Sequence, residues 1–191
     1  MDYARMREIA EELAQYSEQL EGTWNVEVGA SGPLLMMMSP SKRHEGTVRR
    51  IREQLNRQLV ETHPGYVCEN GPEVEHPALQ RIRRPDAVIL PETVLDEEGW
   101  TVDATEVLAV IEIVSKSNPE NDYREKMVEY PAMGIAHYLL VDPRKGTIEM
   151  RSSPEGNRYQ HAASYIYGDP VTFGPWKLDT SGFRRYREPG E

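Results

Sequence analysis

The segment EVLAVIEIVS, residues 106–115, constrains this chain more than any other. It is nearly continuous in Val, Leu and Ile, the composition of a central strand covered on both faces. Glu112 interrupts the run and shares a face with Leu108, Val110 and Val114. A carboxylate there is costly unless it is paired, protonated or bound to a cation. The strand region ends at Asn118 and Pro119, a helical pattern follows from about 121 to 133, and IAHYLLVD, residues 135–142, supplies another core strand. A strand–helix–strand unit normally connects parallel strands. The chain is therefore expected to adopt an α/β (α+β) fold, with a mixed central sheet flanked by helices.

In the 121–133 helix, Tyr123, Met127 and Tyr130 form the apolar stripe. At about 100° per residue, Lys126 falls within the same arc. Arg124, Glu125 and Glu129 fall elsewhere, and the two glutamates read as solvated charges. Asp122 stands four residues before Lys126, the spacing of an ion pair on one helix face. A second carboxylate, Asp86, occurs in RRPDAVIL, residues 83–90, whose apolar run lies between Pro85 and Pro91. Proline marks the first residue or the edge of a strand, so Asp86 belongs near a strand start.

Upstream, residues 3–20 form an amphipathic helix through Met6, Ile9, Leu13, Tyr16 and Leu20. WNVEV (24–28) and LLMMM (34–38) make a hairpin around Gly29, Gly32 and Pro33. A second helix begins near residue 43 and stops before Pro64, with Val48, Ile51, Leu55 and Leu59 along its apolar line. His44 lies inside that arc and Glu45 on its edge. The pair either caps the helix or brings Glu45, and less readily His44, to a site between helix and sheet. Residues 66–76 read as short strands turning at Gly71 and Pro72, and 91–105 as an exposed acidic loop. TIEMRS returns after a turn at 143–146, with short strands around 158–161 and 171–179 and a mobile tail at 184–191. Phe173, Trp176, Phe183 and Tyr186 suit either the covering of this sheet or a contact with a partner.

With 191 residues the chain is long enough for one domain and hardly enough for two. It divides into an N-terminal helix (1–22), a core (24–150), a C-terminal strand extension (151–183) and the tail. A net charge of −10 argues against a broadly basic nucleic-acid-coating face. Lys42 and Arg43, Arg49 and Arg50, and Arg81, Arg83 and Arg84 are local basic exceptions, either plain surface charge or part of a binding face. The single cysteine, Cys68, excludes an internal disulfide and a cysteine zinc cluster, and fits a reducing cytoplasm. No run reaches the roughly 18 apolar residues of a membrane span, and the acidic N-terminus does not read as a signal peptide. Phosphate-cradling glycine loops, serine-nucleophile elbows and histidine-rich metal motifs are absent.

If Asp86, Glu112 and Lys126 meet, specific chemistry follows. Two carboxylates can hold a magnesium ion, with waters and a phosphate oxygen completing its shell. Such an ion polarises a phosphoryl group and acidifies its bound water, and a lysine can orient that water or stabilise developing charge. The same side chains would also make a purely structural buried ion network.

The MSPSKRHE entry to the second helix, RRPDAVIL, VIEIVSKSN, the Asp122–Lys126 pair with Tyr130, and GIAHYLLVD together resemble the Uma2-like family of proposed bacterial restriction endonucleases, also called DUF820. The resemblance runs from about Trp24 to about Met150. It implies a restriction-endonuclease-like core related to the PD-(D/E)xK nucleases. Asp86 then matches the aspartate of the PD element and Glu112 the acid of the central strand. In the general superfamily the lysine lies two positions after that acid, where this chain has Val114. Lys126 matches a basic residue relocated to the following helix, and Lys116 is the competing candidate. Glu45 matches a first-helix acid that serves as an additional metal ligand, and His44 the histidine beside it. Asp122 and Tyr130 take supporting positions.

The resemblance implies a magnesium-dependent endonuclease acting on DNA, with Mn2+ as a substitute ion. Two alternatives stand beside it: a catalytically inactive nucleic-acid-binding or structural protein of the same fold, and a metal-dependent phosphoesterase on a small substrate. A homodimer, pairing two sites for double-strand cleavage, is a further expectation. No helix-turn-helix or finger is recognisable, so restriction-like sequence specificity is not to be assumed.

Overall fold

The computed structural model describes residues 2–38, 41–115 and 120–186. The chain runs through α1 (Tyr3–Ser17), β1 (Thr23–Gly29), β2 (Gly32–Met38), α2 (Lys42–Thr62), β3 (Tyr66–Glu69) and β4 (Glu73–His76). It continues through β5 (Arg81–Arg83), β6 (Ala87–Pro91), β7 (Thr101–Asp103), β8 (Ala109–Ile113) and α3 (Lys126–Ala132). The last strands are β9 (His137–Asp142), β10 (Thr147–Glu155), β11 (Arg158–Ile166), β12 (Pro170–Phe173) and β13 (Trp176–Asp179).

Two sheets carry the structure. The larger has six strands in the order β11-β10-β9-β8-β6-β3, and the apolar run around Glu112 occupies β8 near its middle. β8 and β9 are parallel, the arrangement expected of the strand–helix–strand unit, while the remaining neighbours in that sheet are antiparallel. The smaller sheet has five strands, β2-β1-β5-β4-β7, and α1 packs on it through Met6, Ala10 and Leu13. This is a mixed α/β fold with a central sheet flanked by helices and an N-terminal helix and hairpin, in the restriction-endonuclease-like arrangement. The loop expected at 91–105 in fact contains β7, whose Val102 is buried beside Val74 and Ala104.

The alternation of side chains along β6 and β8 defines two cores. Ala87, Ile89, Ala109, Ile111 and Ile113 face α2, where Val48, Ile51, Leu55 and Leu59 meet them. Val88, Leu90, Val110 and Val114 face α3, where Tyr130 and Met133 meet them. Glu112, in phase with the second set, therefore points at α3. Phe173, Trp176 and Phe183 lie buried in the α2-side core, so these tail aromatics cover the protein's own sheet.

Candidate active site

The PD element straddles the two sheets. β5 ends at Arg83 in the smaller sheet and β6 begins at Ala87 in the larger, so Arg84, Pro85 and Asp86 make the crossing. Pro85 has no N–H to leave unpaired at this break in both ladders. Ala87 pairs with Ile111, and one further step in that register sets Asp86 across from Glu112. Asp86 Oδ2 accepts the Ile113 N–H at 2.6 Å, and Oδ1 accepts from His44 Nε2 at 2.9 Å. His44 reaches it from the first turn of α2, which Ser41 caps by accepting the His44 N–H at 3.2 Å. Burial pulls the His44 imidazole pKa down, but the hydrogen bond and charge of Asp86 more than reverse this, and the net shift is upward.

Glu112 is buried, and its Oε1 accepts from Lys126 Nζ at 2.8 Å and from the Tyr130 hydroxyl at 2.5 Å. Lys126 also lies 3.2 Å from Asp122 Oδ1, the expected pair four residues apart. The chain enters α3 through a wide π-helical turn at Asn121–Glu125, which carries Asp122 to the buried side along with Lys126. Burial alone would push the Lys126 ammonium down, yet Glu112, Asp122 and Glu27 raise it well above 10.5 and hold it charged. Glu112 moves the other way. Burial, reinforced by Asp122 and Asp86, pushes its carboxyl up to about 8 despite the lysine beside it. Burial raises the Asp122 carboxyl above its ordinary value as well, against the pull of Lys126.

Asp86, Glu112, Lys126, Asp122, Tyr130 and His44 thus come together. Glu45 does not join them in direct contact: it is exposed on the outer side of α2, and its charge contributes to the upward shift of His44. Lys116 lies outside the described residues. Val114 is fully buried in the α3-side core, so the position two residues after Glu112 serves packing.

The sequence reading missed Glu27 and Arg83. Glu27, on β1, has 1% exposure and places Oε1 3.9 Å from Lys126 Nζ. Its Oε2 accepts from Arg83 Nη1 at 2.7 Å, and Oε1 accepts the Arg84 N–H at 3.2 Å. Burial would raise the Glu27 carboxyl, but Lys126 and Arg83 bring it below its ordinary value. Arg83 is fully buried and also donates to Glu129 and Glu125. Glu129, expected to be solvated, is therefore a buried partner of Arg83 and Arg81. Glu125 keeps half its surface in water while bonding Arg83. The helical phase of these two glutamates misleads because their partners come from β5, which the helix period does not report. A further neighbour is Tyr186, whose hydroxyl donates to Val114 O at 3.3 Å and lies 3.4 Å from His44 Nδ1.

Among the described residues, no group of three or more His, Cys, Asp or Glu side chains is arranged to hold a metal ion. The donor chemistry of Asp86 and Glu112 nonetheless fits magnesium, which needs one or two protein carboxylates and takes water and phosphate oxygens for the rest. Burial, reinforced by the charges of Asp122 and Asp86, raises Glu112 to about 8, and a bound cation would offset both.

Among solved structures, the fold is similar to one described as "a putative nuclease belonging to DUF820 from Anabaena variabilis ATCC 29413", with a TM-score of 0.61. The similarity covers 84% of this chain and 87% of that one at 14% sequence identity, a likeness of fold. No curated protein matches this chain. No helix among the described residues is long and apolar enough to cross a membrane. The model of the Uma2 family, described as "Putative restriction endonuclease", matches residues 10–172, a span that contains the site and most of both sheets. The chain belongs to the Uma2 family.

Proposed function

We propose that this protein hydrolyses phosphodiester bonds in DNA as a magnesium-dependent endonuclease, with manganese as a substitute ion. The observation that carries this reading is the buried contact of Lys126 Nζ with Glu112 Oε1 at 2.8 Å, with Asp86 next in register on the neighbouring strand. Asp86 and Glu112 would hold the ion, while Glu45, on the outer side of α2, is not placed to join them. Once bound, the ion would polarise the phosphoryl group and acidify a water.

The chain's own residues do the rest. Lys126, held charged by the acids around it, stabilises negative charge that develops on the phosphoryl oxygens and orients the attacking water. Asp122 and Glu27 keep its ammonium in place. The Tyr130 hydroxyl orients Glu112, and the His44 imidazole orients Asp86. The family and its fold support the nuclease assignment, and the inward placement of Lys126 supports a lysine that acts from the helix instead of the central strand.

The test is cleavage of supercoiled plasmid and of single-stranded DNA with Mg2+, Mn2+ or EDTA. Ion-dependent nicking that drops at least about 100-fold in Glu112→Gln and Lys126→Met is expected, the scale of losing one transition-state donor. Cleavage that persists in both variants overturns the site. One observation favours a second reading, a non-catalytic relative of the same fold. Lys126 and Tyr130 already engage the same oxygen of Glu112. Wild-type protein that is folded and inert towards both DNAs with either ion would select that reading.

A further inference from the structure

Of the three basic groups in the sequence, Arg81, Arg83 and Arg84 are taken up by Glu129, Glu27, Glu125 and Glu73. The other two groups meet a different fate. Lys42, Arg49 and Arg50, with Arg52 two residues on, line an open groove of about 640 Å³ along the first turns of α2, closed on one side by Asn70. Arg49 pairs with Glu53 and Arg52 with Glu69. Among the described residues no carboxylate pairs with Lys42 or Arg50, and both are exposed. Gly46 sits under the Arg50 side chain, whose Nη1 donates to Gly46 O at 2.7 Å. A Cβ on Gly46 would come within 2.9 Å of that nitrogen, so the glycine lets the guanidinium lie flat along the helix. Glu45 is the one acid lining the groove. In a chain of net charge −10, this concentration of cations in a concave surface is a local reversal of sign.

The groove adjoins the candidate site on two sides. The helix turn that carries Lys42 and Glu45 to the groove also sends His44 inward to Asp86. Glu69 pairs with Val88, and one further step in that register sets Asn70 beside Ala87, the residue after Asp86. We propose that this groove binds the sugar–phosphate backbone of a nucleic acid and leads the strand past Asp86. The proposal rests on the phosphodiester reading for its choice of polyanion. The recognition itself needs only a repeated anion met by Lys42, Arg49 and Arg50, with the Asn70 amide able to bond a phosphate or base edge. Such contacts read charge and spacing, not sequence.

The experiment measures binding without catalysis. Fluorescein-labelled 20-mers of single-stranded DNA, duplex DNA and RNA are titrated with the full chain in EDTA over a range of salt. Lys42→Glu/Arg50→Glu is compared with Arg57→Glu/Arg158→Glu, which makes the same charge change at exposed positions outside the groove. The groove variant is expected to weaken binding by at least about tenfold and to flatten the salt slope by about two, whereas the control changes affinity far less. Preference among the three probes names the nucleic acid that the backbone comes from. Equal weakening by both variants, or none by the groove variant, overturns the proposal. Plasmid cleavage by the groove variant is read separately. Wild-type protein that binds through the groove but cuts nothing keeps this inference and removes the catalytic one. Metal-dependent cutting with groove variants that bind like wild type does the reverse.

Discussion

Glu27 Oε1 approaches Lys126 Nζ to 3.9 Å, although one residue belongs to the N-terminal hairpin and the other to the helix after the central strand. The second oxygen of Glu27 is held by Arg83, which bonds Glu129 and Glu125 in turn. The smaller sheet is therefore joined to the candidate site by a chain of charges buried from water. Charges in such a place interact strongly, and removing one member strands the others.

Arg83→Ala should destabilise the fold by about 3–5 kcal/mol, because Glu27 and Glu129 would lose the buried cation they share, leaving Glu27 to Lys126 at 3.9 Å and Glu129 to Arg81. Urea denaturation measures this. Arg83→Met/Glu27→Gln should be less destabilised than Arg83→Ala, since it removes opposite charges together. If the double variant is the worse of the two, the pair is not coupled as described.

At the other end of the network, Lys126→Met leaves Glu112 and Asp122 facing each other without a cation, which should lower stability and abolish DNA cleavage together. Adding Glu112→Gln should restore much of the stability while leaving activity absent. Circular dichroism melts beside a nicking assay separate the two quantities. Recovery of cleavage in the double variant would show that neither group is needed for the chemistry.

His44 should titrate above 6.5, because Asp86 outweighs the burial that opposes its charging. The folded protein then holds this proton more tightly than the unfolded chain. The stability it contributes is full below about 6.5 and is lost as pH rises through the folded value. NMR of the imidazole ring protons should show the midpoint fall in Asp86→Asn, and that variant should lose less stability between pH 6 and pH 8 than wild type. An unchanged midpoint would mean that the 2.9 Å contact does not govern the imidazole.

Magnesium should raise the thermal midpoint of the wild-type protein in a concentration-dependent way, since a ligand that binds only the folded state stabilises it by mass action. Asp86→Asn and Glu112→Gln should each blunt that rise, and EDTA should reverse it. Differential scanning fluorimetry reads the effect without any substrate. A rise that is equal in all three proteins would place the ion elsewhere.

Trp176 anchors the C-terminal hairpin in the α2-side core, with no exposed surface and its indole N–H donating to Thr62 Oγ1 at 3.0 Å. Trp176→Ala should destabilise by about 3–5 kcal/mol. A loss under about 1 kcal/mol in urea denaturation would show that the hairpin is dispensable to the core.

Glu112 was legible in the sequence because a charge inside a run of Val and Ile has few explanations, and Lys126 because the helix period separates inward from outward positions. Asp86 was legible as a strand start from its two prolines. Glu27 was not. In WNVEV it reads as the outward residue of a hairpin with one wet face, and only the docking of a second sheet buries it. The hairpin and a short strand near β4 were legible, but their union into a smaller sheet was not: β5 and β7, which complete it, are three residues each, too short for alternation to register. Arg83 sits at the end of one of these, where local pattern says nothing about which carboxylates converge on it.

The crossing at Arg84–Asp86 ties the site to the quality of the whole assembly. Asp86 takes its position from two sheets at once: from the smaller through the chain just before it and from the larger through the Ile113 amide. Lys126 is likewise gripped by Glu112 from the larger sheet and Glu27 from the smaller. A small slip of one sheet over the other would misalign acid and base together, so lesions far from the reacting groups, in α1 or the hairpin, should silence the site before they unfold the protein. The seam acts as an interlock, and only a chain with both halves seated presents a complete site.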